Sequence, residues 1–283
     1  MLKGLSKVLQ FFINRLRLKE VPITKEQAFG SERIGVHQKT LDRNPAFELL
    51  SRDLHGHVSK LISEYAATAR SVQVLEIGSG VIPFSETNPG AISSDIMFSE
   101  DIQCQLDAME IPIRNDALHA IVLQNVFHHL PNYLIALQEM QRVLEDGGVI
   151  ILIEPSFNYL SRLVYPKLFS FEGYDCDASP SQRLFNETGD QVPNQALSFI
   201  VFERDEKNFE EMFPDLKILV KTQLPSGLRY LGTGGLNFRR LLPSVFLRIL
   251  RYVESTSHGA RILGAVALHW TIVIRFKPNN QDT

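Results

Sequence analysis

The sequence has only two cysteines among its 283 residues. Cys104 and Cys176 are too few for a disulfide framework, and neither belongs to a C-x-x-C pair of the kind found in zinc or redox centres. A chain of this length buries a substantial core without such cross-links. We therefore expect a protein of a reducing, cytoplasmic compartment.

Basic charge is not in excess, and long apolar runs are missing. The 29 Lys and Arg residues stand against 32 Asp and Glu residues, a net charge of −3, whereas nucleic-acid binders usually carry a positive excess. The longest nearly apolar run, from Ile262 to Ile274, is interrupted by His269 and is shorter than the roughly 20 residues of a membrane-spanning helix. We expect no nucleic-acid partner, no transmembrane segment and, without a cleavage site near the N-terminus, no signal peptide.

Apolar side chains recur at helical spacing in residues 1–20, 47–69 and 133–144. From residue 72 onward, short β-branched runs alternate with helical segments. The strands predicted from these runs span residues 72–77, 91–95, 118–124, 148–153, 216–222 and 266–276. Such alternation indicates an α/β fold with a mostly parallel sheet covered on both faces. Ligands of these sheets bind beyond the carboxyl ends of the strands.

The residues at the end of the first two strands indicate a nucleoside ligand that carries no phosphate. Gly78 and Gly80 allow a sharp turn and a close approach of the backbone to a ligand. A dinucleotide fingerprint would need glycine or alanine where Pro83 stands. Glu76 would repel a phosphate but attract a cation, and Asp95 can accept hydrogen bonds from both hydroxyls of a ribose.

Five motifs in order carry a resemblance to a known family. They lie at Val74–Gly80, Ser94–Ile96, Asp107–Pro112, Leu123–Leu130 and Val143–Gly148. Together they resemble class I S-adenosylmethionine-dependent methyltransferases, with the type 11 pattern of enzymes that modify small molecules and lipids. The resemblance implies an α/β, Rossmann-like, doubly wound and mostly parallel seven-stranded sheet, with an antiparallel last strand, N-terminal helices and two insertions.

The same resemblance implies S-adenosylmethionine as the cofactor and assigns its contacts. The residue matching Glu76 organises the methionine amino end, the backbone of the glycine turn approaches the cofactor, and Asp95 holds the ribose. Asp107 meets the adenine amine, and Gln124 or Asn125 lies beside the cofactor after the fourth strand. The full predicted set is Glu76, Gly78, Ser79, Gly80, Asp95, Ile96, Asp107, Ala108, Gln124 and Asn125.

Two departures from the family pattern leave alternatives open. Ile82 stands where the family usually has a further glycine, and Pro83 with Pro89 leaves the first crossover helix very short. These features favour a non-catalytic, methyltransferase-like binding subunit as the alternative to an enzyme. A nicotinamide-dependent oxidoreductase is a third hypothesis, which Glu76 and Pro83 disfavour.

A catalytic base is needed only if the methyl acceptor carries a proton. His128 and His129, which follow the fourth strand, are the nearest candidates because imidazole titrates near neutral pH; the alternative is a pair that packs and hydrogen-bonds locally. Glu154, after the fifth strand, is a third candidate. His55 and His57 resemble a fragment of a metal site, but no third ligand lies nearby, so we interpret them as surface histidines and predict no metal site.

The organisation predicted for the chain is an N-terminal helical cap over residues 1–70 and a methyltransferase domain over 71–283. Insertions at about 156–205 and 224–265 are the segments expected to shape the acceptor pocket. The acceptor is then a small molecule or a lipid-linked compound.

Charge is segregated along the chain. Residues 1–20 carry five basic side chains against one acidic, and residues 224–265 carry six arginines against one glutamate. Both segments are amphipathic, and the interpretation we favour is that their apolar faces complete the core or a dimer contact. The competing hypothesis is that they contact an anionic membrane at its inner face.

Overall fold

The computed structural model describes residue 18 and residues 32–66, 73–169, 172–185, 189 and 191–278. The basic helix predicted within residues 1–20 therefore lies outside the described residues, apart from Leu18. Over the described ranges, no helix combines the length and the apolar character that crossing a membrane requires.

Seven strands form one sheet. Their bounds are β1 Val74–Ile77, β2 Ala91–Asp95, β3 Cys104–Gln105, β4 Leu118–Gln124, β5 Leu144–Pro155, β8 Leu216–Gln223 and β9 His269–Phe276. They lie in the order β3-β2-β1-β4-β5-β9-β8, and β9 runs antiparallel to both of its neighbours. A separate pair is formed by β6 Leu184–Phe185 and β7 Gln191–Val192. The predicted fold class, with its antiparallel last strand, is confirmed.

Strand β3 and a helix before Pro45 are among the elements that the sequence pattern did not place. Strand β3 has two residues, too few to show an alternating pattern. Residues 32–42 form helix α1, Glu32–Asp42, in a stretch for which the sequence analysis predicts no helix. Helix α2, Pro45–Tyr65, was predicted; it begins with proline in its first turn, and the Asn44 side chain accepts from the amide of Phe47.

The other helices cover the sheet or lie in the predicted insertions. Their bounds are α3 Tyr133–Val143, α4 Tyr159–Leu168, α5 Leu197–Phe199, α6 Glu206–Met212, α7 Gly227–Thr233, α8 Ser244–Ser255 and α9 Ser257–Gly264. A π-helical stretch, Ile200–Arg204, joins α5 to α6. Two short 3-10 turns follow strands, Phe84–Glu86 after β1 and Phe127–His129 after β4, so the first crossover is as short as its prolines predict.

The core has two halves, one on each face of the sheet. Helix α3 packs on one face, with Leu137 and Met140 fully buried. Helix α2 packs on the other, where Val58 lies against Val122 of β4 and Ile151 of β5. Because both faces are covered, β4 and the Val149–Ile153 part of β5 consist of almost continuous apolar residues.

The arginines of the second basic segment do not all face solvent. Arg229 is 6% exposed and pairs with Asp53 at 2.6 Å and with Glu254 at 2.7 Å. Arg251 also pairs with Asp53, at 2.7 Å. Since acidic partners neutralise both side chains, the segment presents less free positive charge than its composition indicates.

Candidate active site

A tight turn after β1 depends on two glycines in the left-handed backbone region. Gly78 has φ +76° and Gly80 has φ +58°, which only glycine adopts without strain. The amides of Gly78 and Ser79 both donate to the carbonyl of Ser94 in β2, at 2.8 and 2.9 Å. A side chain on Gly78 would collide with Val126, whereas the space beside Gly80 is open.

Asp95 lies at the end of β2, against this turn. Its Oδ2 accepts from the amide of Gly80 at 3.1 Å, and its Oδ1 accepts from the amide of Met97 at 2.9 Å. A carboxylate offers about four acceptor positions, so capacity remains for the two hydroxyls of a ribose. Ile96, next in the chain, is 61% exposed, and Phe98 is 69% exposed. Unburied apolar surface beside a carboxylate suits the face of a nucleobase.

Glu76 is buried at the end of β1. It accepts from the Phe84 amide at 2.7 Å, from the Ser93 hydroxyl at 3.0 Å and from Gln124 at 3.3 Å. Burial raises the pKa of Glu76, and these donors oppose the shift. The carboxylate thus ties the short 3-10 turn to β2 and β4.

The remaining predicted cofactor residues lie at the same edge of the sheet. Asp107 accepts from the amide of Met109 at 2.8 Å, and Ala108 is buried beneath it. Asn125 is exposed, with φ +56°, and its amide donates to Ile153. The structure therefore brings the glycine turn, Asp95, Gln124 and Asn125 to the carboxyl ends of the first four strands, and these groups fit a nucleoside cofactor.

Ile82 does not stand open beside the glycine turn. It is 8% exposed and packs with Val81 and Leu41, in a cluster that also contains Phe47 and Leu236. Helices α1 and α2 therefore hold the residue that departs from the family's glycine pattern.

Hydrogen bonds from a residue of β5, Glu154, fix the loop that follows β4. Glu154, fully buried, accepts from the amides of Val126 and Phe127 at 2.8 and 2.9 Å. Its other oxygen lies 2.6 Å from Nδ1 of His128. Since Val126 also contacts Gly78, this loop joins the predicted cofactor turn to the predicted catalytic residues.

His128 and His129 share a carboxylate that the sequence pattern did not identify. Nε2 of His128 lies 3.6 Å from Glu172, and Nε2 of His129 lies 3.7 Å from it. Burial lowers the pKa of His128, but the charges of Glu154 and Glu172 outweigh burial and raise it. Burial and the neighbouring His128 lower the pKa of His129. Glu172 is more than forty positions further along the chain, so no local spacing could have connected them.

The interpretation of His55 as a surface residue is wrong, and His57 is half-buried. His55 is 2% exposed; its Nδ1 lies 3.0 Å from the hydroxyl of Thr87, and its ring contacts Phe84 edge-on. Nε2 of His57 lies 3.1 Å from the hydroxyl of Thr271. The two side chains leave α2 in different directions, His55 toward the turn at Phe84 and His57 toward β9.

Residues 58–152 match the sequence model of the family described as methyltransferase domain. The match bears out, over that segment, the predicted resemblance to methyltransferases. A demethylmenaquinone methyltransferase of Staphylococcus aureus strain JH9 is 38% identical over 50 residues, and the protein of strain Newman gives the same values. These 50 residues are 18% of this chain and 21% of the relative, so the chain matches only a small part of these relatives' length.

Solved structures with a similar fold include the following two. The YcgJ protein from Bacillus subtilis has a TM-score of 0.42 and 16% identity, with 80% of this chain and 100% of that chain covered. A phosphoethanolamine N-methyltransferase 2 of Haemonchus contortus, in complex with phosphomonomethylethanolamine and S-adenosylhomocysteine, has a TM-score of 0.44 and 9% identity. In that comparison, 93% of this chain and 61% of the other are covered.

Proposed function

We propose that this protein transfers a methyl group from S-adenosylmethionine to a small-molecule or lipid-linked acceptor. The observation that carries the proposal is the placement of Asp95 against Gly80, at the end of a glycine turn with open space beside it. The match of residues 58–152 to a methyltransferase family supports it. When bound, the cofactor supplies an electrophilic methyl group on a positively charged sulfur.

The chain's own residues bind and orient the cofactor in this proposal. Asp95 accepts from the ribose hydroxyls, the exposed side chain of Ile96 packs on the adenine, and Asp107 accepts from the adenine amine. Gln124 and Asn125 lie beside the methionine portion. Glu76 holds the crossover turn that closes this end of the site.

On the acceptor side, Glu154 is proposed as a positioning residue. It is fully buried and bonded to two backbone amides and one imidazole, so it acts on the acceptor through the loop that carries His128 and His129. His129 is then the more accessible imidazole on the acceptor side, and His128 lies buried behind it between Glu154 and Glu172. The rate of methyl transfer from sulfur depends mostly on the orientation of the reactants and on the exclusion of water. The buried residues behind these histidines help to exclude water.

The surface of helices α8 and α9 supports the proposal that an apolar acceptor is delivered from a membrane. Their exposed apolar side chains are Val245, Phe246, Ile249, Tyr252 and Ile262. Exposed basic residues flank them: Arg239, Arg240, Arg248 and Arg261. Amphipathic helices with this composition lie in the headgroup region of anionic bilayers, where each basic residue contributes about 1 kcal/mol. Such contact is compatible with a cytoplasmic protein at the inner face of the membrane.

The proposal is tested in two steps. Isothermal titration with S-adenosylmethionine and S-adenosylhomocysteine measures the cofactor site, and transfer of a labelled methyl group to lipid-soluble or water-soluble extract fractions identifies the acceptor class. Transfer into either fraction supports an enzyme, and the fraction labelled decides between the two acceptors. No binding of either compound contradicts the proposal.

Cofactor binding without transfer would favour the second candidate, a methyltransferase-like binding subunit. The observation that favours this candidate is the first crossover helix, which is reduced to the single turn Phe84–Glu86.

Membrane contact is tested by flotation with vesicles that contain anionic lipid. The double variant Phe246→Glu/Ile249→Glu, in α8, should no longer float with the vesicles. The control is a double variant at exposed positions of another helix, Glu210→Gln/Glu211→Gln in α6, which should still float. Equal flotation of both variants, or no flotation of the wild type at low salt, contradicts the proposed membrane contact.

A further inference from the structure

A group of three side chains below the acceptor side has the composition of a metal site. The nitrogens of His128 and His129 and a carboxylate oxygen of Glu172 all lie within 4.8 Å of one another. Each histidine approaches a different oxygen of Glu172, at 3.6 and 3.7 Å. These separations exceed the 2.7–3.2 Å of a direct hydrogen bond.

The separations instead approach those of ligands that share an ion. Zinc holds nitrogen and carboxylate oxygen at about 2.0–2.2 Å in a tetrahedron, and that geometry sets neighbouring ligand atoms about 3.3 Å apart. A contraction of a few tenths of an ångström would bring each imidazole nitrogen to that spacing from its own oxygen of Glu172. The two nitrogens lie within 4.8 Å of each other, so an ion would also draw the two rings together. Imidazole nitrogen with one carboxylate suits divalent first-row transition ions.

The groups behind these three side chains have the arrangement found behind metal ligands. Nδ1 of His128 lies 2.6 Å from the buried carboxylate of Glu154, which leaves Nε2 directed toward Glu172. Gln195 donates from its side chain to Glu172 at 2.5 Å and fixes that carboxylate. Histidines that bind metals usually donate their other nitrogen to a carboxylate, and this bond sets the tautomer and the ring orientation.

We propose that His128, His129 and Glu172 bind a divalent transition-metal ion of the Zn²⁺ type, with Glu154 and Gln195 as positioning residues. The role of the ion in methyl transfer rests on the proposed function, whereas the existence of the metal site does not depend on it. Three protein ligands leave a fourth position open, as in catalytic rather than structural zinc sites.

In the proposed reaction the ion acts on an acceptor that carries an O–H or S–H group. A bound cation lowers the pKa of such a group, so its proton leaves to water. The lone pair then forms a bond to the methyl carbon, while the bond between carbon and the cofactor's sulfur breaks and its electron pair stays on sulfur. One proton, the methylated acceptor and a neutral thioether are the products.

Direct metal binding tests the site on the full-length protein. After dialysis against a chelator, titration with Zn²⁺ should show one equivalent bound per chain, and Co²⁺ should give visible absorption bands of a four-coordinate ion. His129→Gln and Glu172→Gln should each abolish the Co²⁺ bands, and Glu154→Gln should weaken binding about 10- to 100-fold. The matched control is His258→Gln, an exposed histidine in α9, which should bind as the wild type does.

Thermal unfolding supplies a readout that does not depend on catalysis. Zn²⁺ should raise the Tm of the wild type and of His258→Gln but not that of His129→Gln, because a ligand of the native state stabilises it by mass action. No stoichiometric binding, or binding that His129→Gln and Glu172→Gln leave unchanged, overturns the proposal. Titration with S-adenosylmethionine in the metal-free protein separates this outcome from failure of the proposed function.

Discussion

The carboxylate of Asp95, at the end of β2, accepts a hydrogen bond from the amide of Gly80, in the turn after β1, at 3.1 Å. This bond joins two motifs that are fifteen residues apart in the chain. It fixes the carboxylate at the mouth of the turn, while a second bond from the amide of Met97 sets its rotation. The two hydrogen bonds place one acidic group beside the open space at Gly80.

Asp95→Ala should weaken binding of S-adenosylmethionine by about 1.5–3 kcal/mol, the range for hydrogen bonds to a charged group. In dissociation constants this is about 10- to 150-fold. Calorimetric titration measures it. Asp101→Ala, an exposed acidic residue on the following loop, is the control and should bind normally. An unchanged affinity in Asp95→Ala would exclude the proposed ribose contact.

The two glycines of the turn should respond differently to alanine. Gly78→Ala meets both the left-handed backbone and Val126, so we expect a loss of about 2–4 kcal/mol in the free energy of unfolding. Gly80→Ala meets only the backbone cost of about 1–2 kcal/mol, but its methyl group enters the space proposed for the cofactor.

Denaturant unfolding and cofactor titration separate the two effects. Gly80→Ala should lose more binding than stability, and Gly78→Ala with Val126→Ala should recover part of the stability lost by Gly78→Ala alone. Equal stability losses at both positions would contradict the packing argument.

Arg229 holds the second insertion to helix α2. It lies between Asp53 and Glu254, which are themselves largely shielded, so its removal leaves acidic groups without compensation. Arg229→Met should cost about 3–5 kcal/mol of unfolding free energy. Arg248→Met, an exposed arginine of the same cavity wall, should change stability by less than about 0.5 kcal/mol. Comparable midpoints for both variants in urea would refute this prediction.

Stability should fall as the pH drops toward 5. Burial lowers the pKa of His55 from 6.5 to about 4, with a smaller effect of Arg52. The folded protein thus favours the neutral form of His55. The contribution of His55 to the free energy of unfolding is complete above pH 6.5, where the imidazole is neutral in both states. It declines as the pH falls through 6.5 and stops declining near pH 4. The loss from this one residue between pH 7.5 and 5 is about 2 kcal/mol.

Thermal melts of wild type and His55→Asn over this pH range test that assignment. The variant should be less stable at pH 7.5 but should show a smaller decrease toward pH 5. His258→Gln, at an exposed position, should retain the full decrease. A wild-type slope in His55→Asn would mean that another group carries the pH dependence. His37 and His269, whose pKa values are also lowered to about 4, contribute to the remaining slope together with His57 and His129, whose pKa values are lowered too. His128, whose pKa is raised, opposes it.

Local pattern was sufficient for most of the sheet and for the glycine turn. The strands at 91–95 and 118–124 agree with the structure residue by residue, because buried parallel strands are short apolar runs between turn residues. Helix α1 was missed, since its apolar positions are few and polar residues surround them. The inward orientation of His55 was missed because an isolated helix does not reveal which of its faces is covered.

The sequence by itself determined the alternation of strands and helices, the turn at Gly78 and Gly80, and the acidic residue that ends β2. These features arise from backbone conformation and hydrophobic period, which act over a few residues. Only the tertiary structure decided that Glu172 reaches His128 and His129, that Glu154 supports their loop from a neighbouring strand, and that Arg229 is neutralised. Such contacts join distant segments whose spacing carries no periodic signal, and they form only when the packed sheet brings those segments together.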